Sequence, residues 1–147
     1  MKHSEEIKEF NELYKTIEKS LFLSRFLKNK NILLNCLEEE HRAGKLLLTS
    51  ILKNYHLKGK ITLTQNVEEN KQKLIEISKE NNLVEEVLNI FELFNLYKKH
   101  KSSSIEFLRQ GKIIILDENQ NIEKITLEKL KTFFDSIKKG KEFFNSL

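Results

Sequence analysis

The chain has 147 residues, a formal net charge of +4, and 39% hydrophobic and 33% charged residues. This length favours one domain with one core, and the composition excludes a membrane-embedded chain and a disordered one. The chain has no proline and only 4 glycines, which disfavours a sandwich or barrel, because such folds need many turns. Long helices are therefore expected.

Apolar residues recur at three- and four-residue spacing in five stretches, which is the period of a helix packed on a core. The first stretch carries Ile7, Phe10 and Tyr14, and the second covers residues 32–55. The others cover residues 67–79, 83–101 and 126–144. The stretch at 67–79 has the fewest apolar residues, so we expect it at the surface.

The segment between the last two helices predicts a small amount of other structure. Ser103 and Glu106 have the spacing of a capping box, which predicts a single helical turn over residues 102–111, closed by Gly111. Residues 113–116 and 122–125 predict a β-hairpin, which needs support from the helices because an isolated hairpin is marginal in water. The expected fold is one mainly α domain over residues 1–147, an antiparallel bundle of about five helices with a small β-hairpin near the C-terminus.

Residues 38–45, Glu-Glu-Glu-His-Arg-Ala-Gly-Lys, are the most unusual stretch of the chain. His41 and Gly44 fall where the helical pattern expects apolar side chains. A glycine inside a helix costs about 1 kcal/mol relative to alanine, and close approach of another helix would offset that cost. Glu38 and Arg42 lie four residues apart, a spacing that favours an ion pair along the helix.

The sequence contains no recognised catalytic or metal-binding motif. There is no His-Glu-x-x-His sequence, and the single cysteine, Cys36, has no partner, so we expect no metal and no cofactor. Cys36 is expected to be a small buried residue. Glu38, His41 and Arg42 are the candidates for a nonstandard ribonuclease centre that works without metal.

Basic residues near the C-terminal segment predict contact with nucleic acid. His100, Lys101, Arg109 and Lys112 surround the predicted helical turn, whose backbone amides could meet a phosphate. Arg42 joins them because the chain has only three arginines, and arginine makes bidentate phosphate contacts that lysine does not. The alternative is a solvated connector in a chain where lysine is simply common.

The order of elements resembles the HEPN superfamily of small helical-bundle proteins. The resemblance is carried by the long first helix, by residues 46–52 of the second helix, and by residues 100–113 with the hairpin after them, which resemble uncharacterised archaeal relatives of the group. It implies a dimer, and a role in a toxin–antitoxin, antiviral or RNA-processing system.

Active members of that superfamily carry an arginine followed four to six residues later by a histidine. None of Arg25, Arg42 and Arg109 has a histidine at that spacing. The resemblance therefore implies a non-catalytic module that acts through dimerisation and RNA binding. A purely structural subunit for protein–protein interaction is the other alternative.

Partners follow from these expectations. Some of the 10 phenylalanines are expected to form the face of a homodimer. The alternative is a core that uses phenylalanine where other proteins use leucine. RNA and a protein partner such as a nucleotidyltransferase are the other expected partners. The chain shows no apolar span or leader-like start, so no membrane contact and a cytoplasmic location are expected.

Overall fold

The structure, a computed structural model, describes the backbone of residues 2–147 and the side chains of residues 5–147. Within residues 2–147 the chain forms five helices and a three-stranded antiparallel sheet. The elements in chain order are α1 (Lys2–Ser24), α2 (Lys30–Leu57), α3 (Val67–Glu80), α4 (Val84–Lys101), β1 (Ile105–Arg109), β2 (Lys112–Leu116), β3 (Ile122–Ile125) and α5 (Leu127–Asn145). The predicted mainly α fold with antiparallel strands near the C-terminus is confirmed.

Helix α2 lies at the centre of the bundle, with α1, α4 and α5 packed around it. It runs antiparallel to α1, because Glu6 of α1 pairs with Lys53 and Glu9 pairs with Arg42. The turn between α1 and α2 is short, and the Asn29 side chain accepts a hydrogen bond from the Asn31 amide at the start of α2. At the other end, Gly59 takes a positive φ of 73° just after the helix, as expected for a glycine beyond a helix C-terminus.

Two helical glycines set how closely α2 packs against its neighbours. A Cβ atom on Gly44 of α2 would lie 3.1 Å from Phe94 Cε1 and 3.2 Å from Ile90 Cγ2 of α4. A Cβ atom on Gly140 of α5 would lie only 2.6 Å from Leu47 Cδ2 of α2. The expected close approach at Gly44 is therefore present, and it is made to a helix of the same chain.

The sheet has the order β1-β2-β3. Gln110 and Gly111 both have positive φ, which is the geometry of a two-residue hairpin turn. On the face toward the helices, Ile113, Ile115 and Ile125 are fully buried. These three side chains join the sheet to the helical core, which gives the strands the support that the sequence required.

The predicted helical turn over residues 102–111 is wrong, because residues 105–109 form strand β1, which pairs with β2. Ser103 Oγ does donate to the Glu106 carboxylate at 3.3 Å, but this contact precedes a strand and caps no helix. The alternating side chains of β1 and its antiparallel pairing with the apolar strand β2 account for the difference.

The core is drawn from all five helices, β2 and β3. Its fully buried members are mostly leucine and isoleucine, and Cys36 is buried among them as a free thiol, as predicted. Helix α3 contributes Leu74 and Ile77 and is otherwise largely exposed, which agrees with its expected surface position. Among the described residues, no helix is long and apolar enough to cross a membrane.

We predict that Gly140→Ala lowers the free energy of unfolding by about 1 kcal/mol, measured by chemical denaturation. Overpacking a core typically costs about 1–3 kcal/mol, and the better helix propensity of alanine returns about 1 kcal/mol. Leu47 is the side chain that must move.

The control is the same substitution in a Leu47→Ala background, where the new methyl group has room. There Gly140→Ala should be neutral or stabilising, so the two positions should couple. An equal cost in both backgrounds would show that Leu47 does not limit the approach of α5.

Candidate functional site

The residues from Glu38 to Lys45 point to three different neighbours of α2. Glu40 is completely buried, and its charge interacts with Asp135 of α5. His41 packs against α4, where its ring contacts Phe94 and Tyr97. Arg42 faces α1. The structure therefore does not bring His41 and Arg42 together as one centre, because adjacent helical positions point about 100° apart.

The predicted ion pair between Glu38 and Arg42 is wrong. Arg42 Nη2 lies 3.0 Å from Glu9 Oε1, because the antiparallel packing of α1 places that carboxylate opposite the guanidinium. Both side chains are about half exposed, at 56% and 47%. An exposed pair of this kind contributes about 0.2–1 kcal/mol, so it is a surface contact and leaves Arg42 on the α1 side of the molecule.

The most distinctive surface feature is a group of rings and amines along the contact between α2 and α4. We call it the aromatic–lysine strip, and its members are His41, Phe94, Tyr97, His100, Lys45 and Lys101. The His41 and Tyr97 rings stack with centroids 3.9 Å apart and planes 15° apart. The His100 ring lies 6.1 Å from Tyr97, and Lys101 Nζ lies 5.4 Å from the Tyr97 centroid.

The strip has a positive electrostatic potential at His41. Burial lowers the pKa of His41, the nearby charges of Lys45 and Lys101 lower it further, and Glu38 acts in the opposite direction. At neutral pH the His41 ring is therefore predominantly neutral, and the two amines beside it favour an anion. The strip joins planar ring surfaces to cationic groups.

His100 is held in place by the first strand of the sheet. Its Nδ1 lies 2.6 Å from Glu106 Oε2. Because a carboxylate can only accept, His100 Nδ1 donates this bond. Ser103 Oγ also donates to Glu106, and Lys30 Nζ donates to the Glu106 carbonyl at 3.2 Å. This network fixes the ring orientation at the end of α4.

The other predicted nucleic-acid contacts lie elsewhere. Arg109 and Lys112 flank the β1–β2 turn and are paired across it. Side chains alternate along a strand, so Arg109 lies on the face of the sheet opposite Glu106, which contacts His100. Of the five predicted residues, only His100 and Lys101 belong to the strip. His41 and Tyr97 could have been found from sequence only by knowing that α2 and α4 are neighbours.

The acids and histidines do not converge as a metal site. Among the side chains of residues 5–147, no group of three histidine, cysteine, aspartate or glutamate residues is arranged to hold a metal ion. What the strip can do chemically is bind an anion beside stacked rings and move a proton at a histidine.

We compared the chain with models of protein families, with curated proteins and with solved structures, and none of the three comparisons gave a match. The function is therefore argued from the residues of the site and their geometry.

Glu40 is the one fully buried acid among the described side chains, and neither of its carboxylate oxygens has a hydrogen-bond partner within the protein. Burial raises its pKa well above the ordinary value, and the charges of Glu39 and Asp135 raise it further. The folded chain therefore keeps this proton at a pH where the unfolded chain has released it. Glu40 reduces stability as the pH rises.

We predict that Glu40→Met stabilises the protein and that the gain increases with pH. Below the unfolded pKa, near 4.5, the carboxyl is protonated in both states and imposes no pH-dependent cost. As the pH rises toward the folded pKa, unfolding becomes easier, with a limiting slope of about 1.4 kcal/mol per pH unit for one proton. Denaturation midpoints measured from pH 4 to about pH 8 test this.

Glu38→Met is the matched control, because Glu38 is exposed on the same helix. A gain for Glu40→Met that is the same at every pH would show that its carboxyl does not retain a proton in the folded state.

We also predict that Lys101→Ala raises the pKa of His41, because it removes a positive charge that disfavours the imidazolium. Glu38→Gln should lower the same pKa. Histidine ring resonances followed by NMR against pH measure both effects. Lys79→Ala, at an exposed site on α3, is the control. If Lys101→Ala leaves the His41 titration unchanged, the positive potential of the strip is not supplied by that lysine.

Proposed function

We propose that this protein is a non-catalytic, HEPN-like helical module that binds single-stranded RNA on the aromatic–lysine strip. The observation that carries the proposal is the Lys101 amine 5.4 Å from the centroid of the Tyr97 ring, which itself stacks on His41. Cations attract the phosphates, and the exposed parts of these half-buried rings give bases a surface to stack on. Neither element alone indicates a nucleic acid, but their combination on one strip favours it.

The strip is suited to binding along a backbone and not to reading a sequence. Its charged groups are lysine amines, which act as point charges without the bidentate geometry that reads a base edge. Lys45 lies one helical turn beyond His41 on α2, and Lys101 lies at the end of α4. The proposal therefore includes binding that depends on salt and depends little on sequence.

Dimerisation is the second part of the proposal, and we place it at the end of α1 and the turn that follows α1. Phe22, Leu23, Phe26 and Leu27 are exposed, with Phe26 at 72%, and the two phenylalanine rings pack edge to face 5.4 Å apart. Phe10 and Phe133 are buried in the core. Some phenylalanines are thus in the core, whereas Phe22 and Phe26 belong to an exposed apolar surface that a second copy of the chain would cover.

One observation favours a second candidate function, a ribonuclease that works without metal. The bond between His100 and Glu106 orients the His100 ring, and an oriented imidazole is suited to general acid–base chemistry. His41 stacks on Tyr97, whose ring centroid lies 6.1 Å from that of His100, and it could handle a second proton. This candidate differs from the centre that the sequence suggested, because it excludes Arg42.

We predict that a short labelled single-stranded RNA binds in a salt-dependent manner and that Lys101→Ala weakens binding several-fold. Loss of one phosphate contact should reduce the slope of log affinity against log salt by about 0.7. Fluorescence anisotropy over a series of salt concentrations measures both quantities.

Arg42→Ala is the matched control, since it removes one exposed positive charge on the α1 side of the molecule. If the two variants weaken binding equally, the strip is not the binding site. Gel analysis of the same RNA tests the second candidate: cleavage that resists chelation of metal and is lost in His100→Ala would establish a ribonuclease, and intact RNA would exclude one under these conditions.

A further inference from the structure

The outer face of the sheet points away from the helices. Its side chains are apolar at one end and basic at the end next to the β1–β2 turn. The strand register places its side chains in three cross-strand rows. The first row is Ile105, Leu116 and Ile122, the second is Phe107, Ile114 and Lys124, and the third is Arg109 and Lys112. We call this surface the outer sheet face.

The apolar rows are open to solvent. Ile105, Phe107 and Ile122 are 52%, 42% and 63% exposed, and Ile114 and Leu116 are partly exposed. Five apolar side chains on one face of a three-stranded sheet form a contiguous patch, unlike the scattered apolar residues that any surface carries. The helices lie on the opposite side, where α2 contacts β2 and side chains of α4 contact Glu106 and Glu123.

The charged residues of the outer sheet face are all cations. Arg109, Lys112 and Lys124 contribute three positive charges, and the rows contain no acid. None of the three forms a salt bridge within residues 5–147. Glu128, at the start of α5, is a nearby carboxylate, and the charge of Lys112 contributes to lowering its pKa. The face therefore presents an apolar half beside a basic half.

Both edges of the sheet are blocked by lysine amines. Lys30 Nζ donates to the Glu106 carbonyl on the free side of β1. Lys129 Nζ donates to the Lys124 carbonyl on the free side of β3. Lysines placed in this way disfavour the pairing of another strand with the edge. A partner is therefore expected to pack on the face of the sheet through side chains rather than to extend the sheet by backbone hydrogen bonds.

We propose that the outer sheet face docks an amphipathic helix of another protein, whose apolar stripe ends in carboxylate side chains. The stripe covers the rows of Ile105 and Phe107, as helices cover sheet faces in folded domains. The carboxylates meet Arg109, Lys112 and Lys124. This interaction is separate from the RNA-binding strip, because it uses the opposite side of the sheet.

Charge selects this occupant over a second copy of the chain, and the aliphatic rows select it over RNA. A second copy of the chain would bring six cations and no row acid into the interface, which opposes association. RNA would find one aromatic ring, Phe107, among aliphatic side chains that offer no stacking plane. A helix with an apolar stripe and terminal carboxylates complements both the apolar half and the basic half of the surface.

The experiment uses two synthetic helical peptides with the same leucine and phenylalanine stripe, one ending in glutamates and one ending in lysines. The glutamate peptide should bind the full chain about tenfold or more tightly than the lysine peptide, measured by fluorescence anisotropy. NMR shift changes should fall on residues 105–124. Ile122→Asp and Phe107→Ser should each abolish binding, and Arg109→Ala should weaken only the glutamate peptide.

Val67→Asp is the matched control, because it alters an exposed apolar residue at the start of α3 and leaves the sheet and the proposed dimer face unchanged. It should leave peptide binding unaffected, and circular dichroism should confirm that every variant is folded. No binding of either peptide, or equal binding of both, would overturn the proposal. Sedimentation showing a dimer that Ile122→Asp dissociates would assign the face to a second copy, and RNA protection of residues 105–124 would assign it to nucleic acid. Either result overturns the proposal without affecting the test of the strip.

Discussion

The fold depends on how closely helix α2 can be surrounded. Two positions without a side chain permit this packing: Gly44 on α2 faces α4, and Gly140 on α5 faces α2. Each glycine costs its helix about 1 kcal/mol of propensity, and each places a backbone where a methyl group would collide with a neighbour. Because α4 lies so near, the ring of His41 reaches Tyr97. The surface strip is therefore a consequence of the packing at Gly44.

Because other helices surround α2, some of its polar side chains lie in an apolar environment that is unfavourable for them. A helix with neighbours on three sides has little solvent-facing surface, so Glu40 is carried into the core without a hydrogen-bond partner in the protein. A buried acid normally loses its charge before it is tolerated, and its raised pKa shows this adjustment. An apolar residue of similar volume would fit the same space, so the acid is not needed for packing.

The helices could be predicted from sequence because their apolar period is strong and depends only on neighbours along the chain. Strand β1 could not be predicted, because the spacing of Ser103 and Glu106 is that of a helix cap. The strand is evident only from the pairing of Phe107 with Ile114. The site divides in the same way. His100 and Lys101 stood out as basic residues, whereas the role of Tyr97 depends on contact with His41, more than fifty residues away in sequence. Arg42 was misassigned because its partner, Glu9, lies on another helix.

The net positive charge of the chain can be interpreted only when the contacts of the individual lysines are known. Lys53, Lys99 and Lys139 pair with carboxylates of other elements, and Lys30 and Lys129 block the edges of the sheet. These amines stabilise or protect the fold and are not available to a ligand. Lys101, beside the Tyr97 ring, and Lys124, on the outer sheet face, form no salt bridge within the described residues. They leave positive charge on two surfaces, which lie on opposite sides of β1 and have different chemistry. One offers stacked rings and the other offers aliphatic rows, so the two surfaces are suited to different partners at the same time.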